Sequence, residues 1–99
     1  MIVSATPVVP RWSCRRHADL SLRQWPDGFV LFDEAQGQLQ CLTTAAGEVM
    51  ALLLQGPEWT SVDLAQALMG EVPTEDDVAM VEKVVLHFLS LNLVERLPV

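Results

Sequence analysis

Few residues in this 99-residue chain are of types that could do chemistry, and their spacing decides how far each reading goes. Cys14-Arg15-Arg16-His17 has a spacing that a metal ion could bridge. A tetrahedral zinc site needs four ligands, so Cys41 and His87 would have to converge on that pair from far along the chain. No metal is expected on that count. Asp76 and Asp77 could pair as acid and base, but they open a predicted helix, where carboxylates match the positive end of the dipole. Ser61 and Ser90 carry no sign of an activating base. His87 falls on the same predicted helix away from much of its apolar face, where a lone histidine is more often a surface residue than a base. Gly47, Gly56 and Gly70 are scattered as helix punctuation and make no phosphate-binding loop. Neither catalysis nor a cofactor is expected.

Composition narrows the remaining classes. The chain is 51% hydrophobic and 19% charged, a balance that suits one compact domain keeping some apolar surface for a partner. No apolar run approaches the roughly 20 residues of a membrane span, so no membrane partner is expected. The start, Met1 to Pro10, lacks the charged opening and long apolar centre of a signal peptide, which makes the cytoplasm the default. A disulfide between Cys14 and Cys41 is not expected there. Charge is uneven: residues 1–25 carry net +3, whereas residues 26–99 carry net −10 with Lys83 and Arg96 as the cations. Such a body repels phosphate backbones and attracts basic partners. The same acids also serve simply to keep an apolar domain soluble.

The elements that must position any site follow from periodicity. Residues 1–19, with Pro7, Pro10 and the arginines, read as an extended arm, with Trp12 able to pack back on the body. Residues 20–25 alternate as a first strand, and Pro26-Asp27-Gly28 supplies a turn. Phe29 to Phe32 is a strand apolar on both faces, and Asp33 to Gly37 is a hairpin connection. Gln38-Leu39-Gln40-Cys41-Leu42 has period two, with Leu39 and Cys41 on one side, expected inward, and Gln38, Gln40 and Leu42 on the other. It runs without a linker into a helix from about Thr44 to Gln55 that Gly56-Pro57 stops. Gly47 inside that helix costs up to about 1 kcal/mol against alanine and suggests a close approach. Thr60 to Asp63 and Thr74 to Asp77 are capping boxes for helices over 61–69 and from 75 to about 91. Asn92 to Leu97 is a short extended tail or a poor fourth strand. The expected core is Leu22, Phe29, Leu31, Leu39, Val49, Leu53, Leu64, Leu68, Val81, Val85 and Phe88.

Three strands followed by three helices make an α+β, winged-helix-like domain, taken to span residues 20–99 behind an arm over residues 1–19. In order and spacing this resembles the PqqD-like peptide chaperones, also called RiPP recognition elements. The resemblance is carried by Trp25, Phe29-Val30-Leu31-Phe32, Gly37 to Leu42 leading into Thr43-Thr44-Ala45-Ala46, Thr60 to Ala65, and Leu89 to Glu95. It is most similar to the branch associated with kinases related to HPr kinase. The resemblance implies a binding module without catalysis, whose partners are a precursor peptide and its modifying enzyme. The leader part of that precursor would be held as an added strand on the sheet edge, beside the third helix. Carried onto this chain, the edge is Gln38, Leu39, Gln40, Cys41 and Leu42, and the flanking helix contributes Val78, Val81, Lys83 and Val85. The arginine-bearing arm is a departure from the family pattern and would lie over part of the groove.

The residues agree with that reading on physical grounds. The last strand before a switch to helices lies at an edge, and edge N–H and C=O groups accept an extended peptide while alternate side chains select it. The same edge can also be only a solvated liability, with Gln38 and Gln40 as its polar face. A DNA-binding winged helix is the competing class. Its recognition helix would need cations near its start, where this chain has Glu75, Asp76 and Asp77, so no nucleic acid partner is expected. The oligomeric state, a homodimer included, stays open.

Overall fold

The computed structural model describes residues 10–15, 17–56 and 58–97. They form three helices and two small antiparallel sheets of three strands each, an α+β domain. In chain order these are β1 (Arg11–Ser13), β2 (Leu20–Trp25), β3 (Gly28–Asp33), β4 (Gln38–Leu42), α1 (Thr44–Gln55), β5 (Trp59–Thr60), α2 (Ser61–Met69), α3 (Glu75–Ser90) and β6 (Glu95–Arg96). The first sheet has the order β2-β3-β4 and the second β5-β1-β6. No helix among the described residues is long and apolar enough to cross a membrane.

Local chemistry sets the helix boundaries. Thr43 caps α1 by accepting the Ala46 N–H at 3.1 Å. Thr60 and Asp63 cap α2 reciprocally, and Thr74 and Asp77 do the same for α3. Each box satisfies donors that the first turn leaves without partners. α3 ends by bringing Asn92 to φ 60°, while the Leu93 N–H donates to the Phe88 carbonyl at 3.0 Å. This Schellman-type ending turns the chain inward, so that Leu93 and Val94 are buried.

The first sheet lays one face on α1. Leu22, Leu31 and Gln40 are aligned across the three strands, as are Phe29 and Leu42 on β3 and β4. Leu31 is fully buried, so its whole row, Gln40 included, faces the helices. Gly47 is what allows the approach. A Cβ there would lie 1.8 Å from Phe29 Cδ1, so the ring sits directly on the helix backbone. Gly28 plays a comparable part at the start of β3, with φ +152° and the Leu42 carbonyl oxygen 2.4 Å from where a Cβ would be.

Two expectations are corrected here. Leu39 is not core but 59% exposed, and Cys41 beside it is exposed too, because the register with Leu31 puts Gln40 and Leu42 on the inner face. The buried core instead takes in Trp12, Cys14, Leu20, Met50, Ala65, Leu93 and Val94 as well as Leu31, Val49, Leu53, Leu64, Val81, Val85 and Phe88. Leu22, Phe29 and Leu68 pack against it partly buried.

The second sheet revises the N-terminal arm. β1 is its central strand, with Trp12 aligned to Trp59 on one side and Arg96 on the other. Trp12 is 1% exposed and donates its indole N–H to Ser61 Oγ at 3.2 Å. The body therefore includes residues well before 20. Arg11 is paired with Glu58 and Arg15 with Glu95, and neither lines the cleft beside β4. Both pairs are substantially exposed, so each adds about 0–1 kcal/mol and the buried tryptophan does more of the fastening. The part of the expected arm over residues 1–9 lies outside the described residues.

Candidate functional site

β4 is an edge strand: β3 pairs with one side of it, and no strand among the described residues pairs with the other. An edge of this kind presents unpaired backbone N–H and C=O groups to any extended chain that approaches. What distinguishes it from a bare edge is its neighbour. A cleft of about 400 Å³ runs beside it, with Cys41, Leu42 and Thr43 on one wall. Ala46 of α1 lines it too, and Lys83, Val84 and His87 line it from α3.

The sequence explains the α3 lining. α3 buries the stripe Val81, Val85 and Phe88, and the residues about 100° around the helix become its shoulder. Lys83 and His87 are four residues apart and so stack along one line of the helix, with Val84 between them and the core. α1 follows β4 after one residue, so Ala46 in its first turn lies close to the end of the strand. The cleft is thus built at the junction where strand becomes helix.

Of the sequence-derived site residues, Cys41, Leu42 and Lys83 are brought together on this cleft. Gln38, Leu39 and Gln40 belong to the same edge strand, Gln38 and Leu39 exposed and Gln40 half-buried. Val81 and Val85 are 0% exposed and belong to the core, so they are corrected as groove residues. Val78 is half-buried and lines a different hollow, with Val62, Val72 and Pro73. Thr43, Ala46, Val84 and His87 were not among the expected site residues. The available signal was helical: once Val81, Val85 and Phe88 are assigned inward, the positions beside Lys83 at the cleft are 84 and 87.

The electrostatics of the cleft differ from those of the chain as a whole. Its lining holds a lysine and a histidine and no carboxylate, in a chain of formal net charge −7. At the helical neighbours of Lys83, three and four residues away, stand Ala79, Met80, Leu86 and His87, none of them acidic. Among the described residues Lys83 forms no ion pair, unlike Arg11 and Arg15.

The opposite face of the sheet exposes apolar side chains as well, with the polar Ser21, Arg23 and Glu34 among them. Trp25 is 56% exposed and Phe32 39%, and with Val30 and Leu39 they line a shallow hollow of about 330 Å³. Phe32 stands opposite Leu39, and Val30 opposite Cys41, so these outward rows run across the sheet to the same free edge.

Comparison with known proteins bears on this geometry. No family model matches the chain. No curated protein matches it either. Among solved structures it is similar to one described as lasso peptide synthetase B1 complexed with the leader peptide, at 27% identity and a TM-score of 0.58. The match spans 88% of this chain and 98% of that one, so the likeness extends over the domain and is not confined to one motif. A metal site has no comparable support, since no three His, Cys, Asp or Glu side chains among the described residues gather as ligands.

Proposed function

We propose that this chain is a non-catalytic peptide-binding module of the PqqD-like, RiPP recognition element kind. It holds the leader part of a precursor peptide as an additional strand on β4, beside α3, and presents it to a modifying enzyme. The observation that carries this reading is the pairing of a free strand edge with a cleft lined from α3. Likeness to a protein complexed with a leader peptide, over nearly the whole of both chains, supports it. Main-chain bonds to β4 supply affinity for an extended segment, and the cleft and outer face supply selection.

The test is titration of the leader segment of a precursor encoded beside this chain into isotope-labelled protein, with circular dichroism as the folding control. Backbone amide shifts are expected over residues 38–42 and along the α3 wall. Cys41→Pro removes an N–H that faces the free edge, since the register turns the Gln40 N–H to Leu31 within the sheet, so binding falls sharply while the fold survives at an edge. Gln40→Ala has a smaller effect, because the main chain carries much of the affinity. Shifts confined to the acidic surface of α3, with residues 38–42 silent, would refute strand addition.

A further inference from the structure

If a peptide is added to β4, as the proposed function has it, the surroundings of that edge determine which peptide it is. Side chains of an added strand alternate between the two faces of the sheet. On the helix side they meet the cleft, where Lys83 and His87 stand without a carboxylate among the lining residues. On the outer side they extend the rows that end at Leu39 and Cys41. From these surroundings we infer that the bound element alternates apolar residues with an acidic one, its carboxylate entering the cleft against Lys83 at the level of Leu42 and its apolar side chains, of the other parity, lying along the Leu39 and Cys41 side.

The charge argument runs against the chain's overall field. Residues 26–99 are strongly acidic and draw basic partners at long range. Screening limits that field to about 8 Å at physiological ionic strength, so an ion seated in the cleft is governed by the groups lining it. Those are a lysine with no ion-pair partner among the described residues and, four residues on, a histidine. A carboxylate on the peptide would give Lys83 a pairing of the kind that Arg11 makes with Glu58 and Arg15 with Glu95. A cationic residue at the same place would face Lys83 and His87 with no carboxylate among the lining residues.

The apolar part rests on a surplus the fold does not use. The first sheet needs one apolar face to pack on α1, and Leu20, Leu31 and Leu42 already supply it. Trp25, Phe32 and Leu39 remain 39–59% exposed on the other face. Exposed apolar groups that adjoin one another and a free edge mark an interaction surface. Apolar side chains of an added strand would cover the Leu39 and Cys41 ends of the rows, as cross-strand pairs do within a sheet.

The experiment uses blocked ten-residue peptides, acetylated and amidated, of alternating valine and threonine. One central threonine is replaced by glutamate, glutamine or lysine, and residues 38–42 are followed by amide shifts. The glutamate peptide is expected to bind about two- to fivefold tighter than the glutamine one, with lysine weakest, and the order to shrink in high salt. Lys83 is exposed, so Lys83→Glu keeps the fold and should reverse the order, while Lys83→Gln abolishes it. Replacing the valines by threonine, or Leu39 by serine, should weaken all three peptides by a similar factor. Equal binding of the three charge forms, with residues 38–42 still shifting, would overturn this inference and leave strand addition standing. Silence of residues 38–42 with every peptide would overturn both.

Discussion

Replacing Gly47 by alanine sets two opposing effects against each other, and the geometry decides between them. Helix propensity alone favours the substitution by up to about 1 kcal/mol in the interior of α1. Against it, the new Cβ would stand 1.8 Å from Cδ1 of Phe29, 2.1 Å from Cγ and 2.6 Å from Cβ. Turning the ring relieves the first two contacts but not the third, since a β-carbon moves only with the backbone of β3. Either the phenyl leaves its partly buried place or α1 lifts from the sheet. Overpacking of this kind costs about 1–3 kcal/mol, and expelling the ring forfeits part of the roughly 1.5–3 kcal/mol of its burial. We expect net destabilisation of about 1–3 kcal/mol, read as a lower urea midpoint at unchanged slope. A melting temperature lower by about 4–8 °C per kcal/mol would accompany it. In a Phe29→Ala background the two ring contacts vanish while the 2.6 Å contact with the β-carbon remains, so the same substitution should cost less but still destabilise. Stabilisation by Gly47→Ala in the presence of Phe29 would refute the close packing of α1 on β3.

Two further outcomes test the rest of the fold. Leu53→Ala and Phe88→Ala each remove a side chain buried where α1 and α3 meet the core, and should cost about 2–5 kcal/mol by denaturant titration. A loss below about 1 kcal/mol at both would mean the helix faces are assigned wrongly. Of the two thiols, Cys41 is exposed and Cys14 buried, so a thiol reagent should modify one cysteine quickly in the native protein and the second only on unfolding. Fast modification of both would contradict the packing of the segment that follows β1.

What the sequence determined by itself is what short-range chemistry controls. The three helices begin at Thr43, Thr60 and Thr74 because a hydroxyl can reach back to the N–H groups of the next turn, and that needs no tertiary contact. The strands β2 to β4 and the edge position of β4 were legible for a similar reason: tight turns join them, and a helix follows at once. Gly47 as a place of close approach was legible from the oddity of glycine inside a helix; its partner, Phe29, was not.

Tertiary structure decided which way β4 faces. Leu39 and Cys41 are the more apolar parity of that strand, yet alignment with the buried Leu31 forces Gln40 and Leu42 inward, and a one-residue difference in parity exchanges every side chain. It also decided the second sheet, whose strands of two and three residues are too short to show a period and come from three distant parts of the chain. The wall of the cleft depended on it as well. Val78, Val81, Lys83 and Val85 look alike as a helical surface, and only packing against α1 and α2 separates the buried valines from the Lys83, Val84 and His87 shoulder that faces β4. Burial is a property of the assembled fold, and a local pattern specifies the face of an element without specifying what that face will meet.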